Sequence, residues 1–271
     1  MDGKELRFAF TSRSRVYGTA LLSPSPFWPP TVAGLGLDFV FIDTEHIPLE
    51  RDTVAWMCRT YRALGLAPVV RIPAPDPYQA TMALDGGAEG ILAPYIESAE
   101  QVRRLRGAVK FRPLKGRRLE RALEDPGHLE PELAGYLDGR NANCSLLINI
   151  ESVPAIESLD DILSEGGIEA VIVGPHDLST NLGVPEQYTH PRFEEAIRTI
   201  ISRCAARGVS AGIHAFWNNI PQEIEWARLG ANVILHSADL LLFRRAILED
   251  LHQIKSALGD RAAANASLTP V

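Results

Sequence analysis

Leu146-Leu147-Ile148-Asn149-Ile150-Glu151 and, after a helix-length gap, Ala170-Val171-Ile172-Val173-Gly174-Pro175-His176-Asp177 form the stretch whose reading decides the fold. Each run is continuously apolar and then ends abruptly in polar groups. Continuous Val/Ile/Leu runs, rather than alternating ones, belong to parallel strands covered on both faces. Between them, Val153–Ser164 carries the apolar period of an amphipathic helix and is closed by Gly166-Gly167, the residue type that ends helices. The unit is therefore strand, helix, parallel strand.

The same unit recurs outward in both directions. Tyr17–Leu22, Phe39–Asp43, Pro68–Ile72 and Gly90–Pro94 precede it, and Ser210–His214 and Asn232–His236 follow. Amphipathic stretches at Leu49–Leu64, Ser98–Val109 and Arg192–Arg207 lie between, with Gly65, Gly208 and Gly230 near the next strand. Eight such units in roughly 250 residues is the count of an α/β (β/α)8 TIM barrel, with an open doubly wound sheet as the competing arrangement. This reading makes residues 1–260 a single barrel domain and 261–271 an Ala-rich, frayed tail. Two segments depart from the period. Ser23–Pro30 is too rich in proline for a regular helix. Residues 110–144, with Pro113, Gly116, Pro126, Gly127 and Pro131, are too long for a plain connection. They read as an excursion of short helices at an active site or interface.

Composition narrows the function classes. The chain has 271 residues, with 27 Lys+Arg against 34 Asp+Glu, and a formal charge of −7. An acidic chain without a basic block is a poor partner for nucleic acid. No apolar run approaches the roughly 20 residues of a membrane span, and Met1-Asp2-Gly3-Lys4-Glu5 does not begin a signal peptide. Cys58, Cys144 and Cys204 are widely spaced with no CxxC pair, so the expected location is the reducing cytoplasm. Gly34-Leu35-Gly36 precedes a strand and lacks a third glycine, which excludes a dinucleotide fingerprint.

In a barrel the chemistry sits at the C-terminal strand ends, and six of these carry polar groups. They are Asp43-Thr44-Glu45-His46, Arg71, Asn149 with Glu151, His176-Asp177, His214, and His236-Ser237. Glu151 and Asp177, one crossover apart, end neighbouring strands about 4.8 Å from each other. Two carboxylates without cysteine or an HxxH pattern suit a hard divalent ion, or else are acids capping two helices. Arg71 points into the mouth, where it meets a substrate anion or pairs with Asp43 or Glu45. His46, Asn149, His176 and His214 are either pocket groups or satisfied structural residues. No lysine stands at a strand end, which argues against a Schiff base.

Four motifs together resemble the HpcH/HpaI family of class II, metal-dependent pyruvate aldolases. They are Phe41-Ile42-Asp43-Thr44-Glu45-His46, Pro68-Val69-Val70-Arg71, Ile148-Asn149-Ile150-Glu151-Ser152 and Gly174-Pro175-His176-Asp177-Leu178-Ser179, in order and spacing over about residues 15–250. The resemblance implies a phosphoenolpyruvate/pyruvate-type barrel whose Glu151 and Asp177 hold a divalent ion, Mg²⁺ or Mn²⁺, with Co²⁺ as a third candidate. It gives Arg71 the carbonyl or enolate oxygen, His46 the proton transfer, and Asp43 and Asp85 the orientation of that histidine. The turn Gly174, Pro175, His176 and Asp177 would receive the pyruvate carboxylate, with amide donors at Gly174, His176 and Asp177 because proline has none. Asn149 and His214 would line the substrate pocket, where relatives often carry Gln and an aliphatic residue. The implied activity makes or cleaves a 4-hydroxy-2-oxo acid, with pyruvate and an aldehyde as partners. Alternatives are a citrate- or malyl-CoA-type lyase or synthase, an oxaloacetate decarboxylase, or a degenerate carboxylate-binding or scaffolding barrel. Relatives form homo-oligomers, often hexamers of dimers that exchange their last helix, for which residues 238–257 are the candidate here.

Overall fold

The structure is a computed structural model, and it describes residues 1–260. Eight strands run Val16–Ala20 (β1), Phe39–Asp43 (β2), Ala67–Arg71 (β3), Gly90–Ala93 (β4), Ser145–Asn149 (β5), Ala170–Val173 (β6), Ser210–Ala215 (β7) and Val233–Ala238 (β8). They close into one barrel in chain order, β8 pairing parallel with β1, which excludes the open sheet. Each strand matches its apolar run in the sequence to within two residues.

Alternation along each strand sorts the side chains into two cores. Phe39, Phe41, Val69, Leu92, Leu147 and Ile172 point inward. Val40, Ile42, Val70, Ile91, Leu146 and Ile148 point outward beneath the helices. Gly18 leaves the space that Phe39 fills, since a Cβ there would lie 2.4 Å from the ring. The N-terminal helix Gly3–Thr11 begins with a capping box between Asp2 and Glu5. It sends Leu6, Ala9 and Phe10 into the inner core and so plugs one mouth of the barrel. The other mouth, at the C-terminal strand ends, stays open for a site.

The prolines after β1 behave differently from the sequence expectation. Trp28–Val32 is a short helix with Pro29 and Pro30 in its first turn, where a missing N–H leaves no helical bond unmade. The excursion holds the helices Gly116–Glu124 and Pro131–Arg140 around a 3-10 turn at Pro126–His128. The buried Asn141 side-chain amide ties its base to the carbonyls of Lys110 and Leu137.

The last helix, Asp239–Leu258, leaves the barrel rather than covering it. Only Asp239 is buried, while Phe243 is 60% and Leu258 72% exposed. The outside of β1 and β8 is left with a groove of about 520 Å³, lined by Tyr17, Ile220, Ile224 and Ile234. Among the described residues no helix is long and apolar enough to cross a membrane. The frayed tail expected at 261–271 lies outside the described residues.

Candidate active site

The open mouth is organised around an arginine. Asp43 and Arg71 end adjacent strands in register, and Arg71 gives Nε and Nη2 to the two Asp43 oxygens at 2.8 and 2.6 Å. Its Nη1 lies 3.1 Å from Glu45. Burial by itself would raise the Asp43 carboxyl, but the Arg71 hydrogen bonds and charge outweigh it and hold it below the usual carboxylate range. Asp43 also accepts from the Glu45 amide at 3.0 Å, and Thr44 donates to the Arg71 carbonyl at 2.6 Å. One aspartate thus fixes both the guanidinium fork and the loop that carries His46.

Two strands on, Glu151 is buried, and its Oε1 accepts the Tyr95 amide at 2.7 Å. Its Oε2 is buried with no hydrogen-bond partner. Burial, with the Asp177 charge adding to it, pushes the carboxyl up to about 8 against the Tyr95 amide and Arg71. The pocket for Oε2 exists because residue 174 is glycine: a Cβ there would stand 1.8 Å from that oxygen. Asp177 follows in the first turn of the Pro175–Asn181 helix. Asn149 is also buried and donates Nδ2 to the Ile172 carbonyl at 3.0 Å, which fixes its orientation and leaves Oδ1 without a partner. Unsatisfied buried oxygens and mutually repelling carboxylates fit a hard divalent cation. Glu151 and Asp177 are the pair that would hold it. Among the described residues no cluster of three or more His, Cys, Asp or Glu side chains forms a complete cage.

The structure distributes the other expected residues unevenly. His46 is half exposed, and its Nε2 lies 3.7 Å from Glu45. Asp85 stands at the far end of the Pro77–Gly86 helix, on the side where β4 begins, and is exposed and paired with Arg112 at 3.2 Å. A helix that returns antiparallel to its strand carries its last residues away from the mouth, so within this chain Asp85 does not reach His46. Asp43 is committed to Arg71, which leaves Glu45 as the acid within ion-pair distance of His46. His176 turns to Glu186 at 3.8 Å on the outer rim. His214 faces inward against Phe41, with ring centroids 5.4 Å apart.

Three contributors have jobs that the sequence does not reveal. Glu45 was treated only as an optional partner of Arg71. Tyr95 acts through its amide, and Ser237 through its carbonyl, which His214 meets at 3.1 Å. Tyr95 and Ser237 both hold left-handed backbone, at φ 49 and 54. Such conformations cluster at functional sites but leave no trace in side-chain type.

The HpcH/HpaI aldolase/citrate lyase family model matches residues 22–246. The chain is a member of the HpcH/HpaI aldolase/citrate lyase family. A 2-dehydro-3,6-dideoxy-6-sulfogluconate aldolase of Pseudomonas putida is 32% identical over 201 residues, 74% of this chain and 78% of that one. A 2-keto-3-deoxy-L-rhamnonate aldolase of Escherichia coli K12 is 30% identical over 240 residues, 88% of each chain. The crystal structure of an HpcH/HpaI aldolase from Desulfitobacterium hafniense superposes with a TM-score of 0.80 at 28% identity, covering 92% of this chain and 96% of that one. This HpcH/HpaI protein is accordingly an enzyme of the aldehyde-lyase type, built on a (β/α)8 barrel, in a family that works with a divalent metal.

Proposed function

We propose that the enzyme makes and cleaves 4-hydroxy-2-oxo acids through the enolate of pyruvate, with an aldehyde as the second product. The observation that carries this is the juxtaposition of the buried, unsatisfied Glu151 oxygen and the nearby Asp177 carboxylate with a fixed guanidinium at one mouth. The ion, Mg²⁺ or Mn²⁺ with Co²⁺ as a third candidate, would be held by Glu151 and Asp177 and supplies Lewis-acid polarisation of the oxo group when bound.

The chain's own residues supply the rest. Asp43 takes two of the five N–H groups of Arg71 as hydrogen bonds, and Glu45 adds an ion pair 3.1 Å from Nη1. The N–H groups that Asp43 leaves free stabilise negative charge as it develops on the oxo oxygen. The amides of Gly174, His176 and Asp177 receive the pyruvate carboxylate. Asn149, fixed by its bond to the Ile172 carbonyl, and His214 line the pocket. His46 takes a methyl proton in the synthetic direction and the C4 hydroxyl proton in cleavage, a task suited to imidazole. Glu45, at 3.7 Å, stabilises the imidazolium that results. We assign no role in this chain's own pocket to Asp85.

Residues 1–260 act as one barrel domain in this reading. The exposed apolar side of the Asp239–Leu258 helix and the groove outside β1 and β8 complement each other. Their match supports a homo-oligomer in which one copy's last helix covers its partner's groove, and hexamers would be built from such pairs. The three free, buried cysteines suit a reducing cytoplasm.

The test is pyruvate release from a panel of 4-hydroxy-2-oxo acids, before and after EDTA and with Mn²⁺ or Mg²⁺ restored. Activity is expected to vanish with EDTA and return with metal. Glu151→Gln and Asp177→Asn are expected to lose metal binding and most turnover together. Turnover undiminished by thorough chelation would overturn the metal assignment. Decarboxylation of oxaloacetate without any cleavage of the panel would move the enzyme to the decarboxylase branch.

A further inference from the structure

His214 occupies the inner wall of the mouth. Its neighbours Ala211 and Ile213 pack outward under the helices, so strand alternation turns His214 inward. Its ring meets the edges of Phe41 and Phe216 at 5.4 and 5.9 Å. Nε2 lies 3.1 Å from the Ser237 carbonyl, and a carbonyl can only accept, so Nε2 carries the hydrogen and donates it. Burial, helped by Arg71 and His236, pushes the ring down to about 4 against the Ser237 bond and Asp43. The imidazole is therefore neutral at working pH, with its lone pair on Nδ1. The residue as a whole is only partly buried. Ser237, whose carbonyl fixes the tautomer, also lines a cleft of about 510 Å³ walled by Tyr188, Phe216 and Trp217.

We propose that His214 selects the aldehyde partner, its Nδ1 accepting a hydrogen bond from a hydroxyl of that aldehyde. Hydroxyaldehydes are then favoured over their deoxy counterparts, with the cleft beyond Ser237 receiving the remainder of the chain. The inference rests on the aldolase reading above and names the substrate feature that reading leaves open. An acceptor placed for a hydroxyl is left unpaired by a substrate that lacks one, and that loss discriminates between the two. An aliphatic side chain at this position could not make the distinction.

Glycolaldehyde and acetaldehyde, each condensed with pyruvate by the metal-loaded enzyme, provide the test. The two differ in intrinsic reactivity, so the readout is the change in the ratio of their kcat/KM values between wild type and variant. His214→Leu is expected to lower that ratio about tenfold, mainly through glycolaldehyde. His214→Met serves the same purpose if the leucine variant fails to fold. A folded variant that slows both aldehydes equally would overturn the selection. A wild-type enzyme that exchanges pyruvate methyl protons in D₂O yet joins neither aldehyde would instead overturn the aldolase reading, and this inference with it.

Discussion

Replacing Gly174 by alanine isolates the carboxylate site from the fold around it. Gly174 holds φ −84 and ψ 99, a backbone that alanine adopts freely, so the substitution carries no conformational penalty. The added Cβ would stand 1.8 Å from Glu151 Oε2 and 3.0 Å from its Cδ. The carboxylate must retreat by more than about an ångström to restore ordinary contact, and its 2.7 Å bond from the Tyr95 amide stretches with it. Overpacking of this kind costs about 1–3 kcal/mol. Urea unfolding in EDTA should show that loss free of any contribution from metal binding. Metal affinity, measured by titration calorimetry, should fall at least about tenfold, or 1.4 kcal/mol. In a Glu151→Ala background the same glycine substitution should cost less than about 0.5 kcal/mol, because its main obstacle is gone. The unpaired Tyr95 amide is common to both arms of that cycle and cancels. Equal costs in the two backgrounds, or full metal affinity in Gly174→Ala, would refute the view that this glycine exists to seat Glu151.

Further outcomes follow from the same structure. His214 is held near 4 in the fold and near 6.5 in the unfolded chain, so its stability contribution is complete above the unfolded value and is lost as pH falls toward 4. Relative to wild type, His214→Leu should therefore gain about 2–3 kcal/mol between about pH 8 and about pH 4.5 in chemical denaturation; parallel pH profiles would refute this. Phe10→Ala empties the plug beneath Phe39, whose ring centroid lies 6.5 Å away, and should cost about 3–5 kcal/mol in urea unfolding while folded molecules keep their kcat. Ile254→Glu on the exposed last helix should reduce the light-scattering mass from an oligomer toward a monomer, whereas a wild-type monomer would remove the helix-exchange model. Calorimetric pyruvate binding should be undetectable in EDTA and return with Mn²⁺, and equal affinity in both conditions would contradict the charge argument.

The fold was legible because its signal is local and repeated. Continuous apolar runs such as Leu146–Ile150 and Ala170–Val173 need only hydrophobicity and length to be read, and parallel strands have no other use for their composition. The proline segment after β1 misled because proline is excluded from helix interiors but accepted in a first turn, and Trp28–Val32 is little more than a first turn. The grouping at the mouth was legible where a polar side chain ends a strand, as with Arg71 and Glu151. It was not legible where the job is a backbone group. Nothing in the letters Tyr95 or Ser237 says that one offers an amide to a carboxylate and the other a carbonyl to a histidine. Partnerships were harder still. Asp43 and Glu45 both fell within reach of Arg71 and His46 by spacing, and only the barrel register, which sets Asp43 opposite Arg71, divides them. Asp85 entered through the resemblance alone, and within this chain the helix that carries it ends on the side where β4 begins, away from His46.

That division alters how an acidic enzyme holds an acidic substrate. Arg71 is the obvious anchor for an anion, yet in the folded chain its charge is already met by Asp43 and by Glu45 at 3.1 Å. Three carboxylates, Asp43, Glu45 and Glu151, act on one guanidinium, and burial together with the Asp177 charge leaves Glu45 and Glu151 raised. A mouth with that balance repels an oxo acid until a dication enters. In the proposed reaction the paired state of Arg71 has a purpose: a guanidinium locked by a bidentate aspartate keeps its remaining donors fixed, so none of their order has to be established as charge develops on the substrate. On that proposal, attraction belongs to the ion and geometry to the arginine. A chain with seven excess negative charges can bind an acid because the cation arrives with the function and is not written into the sequence.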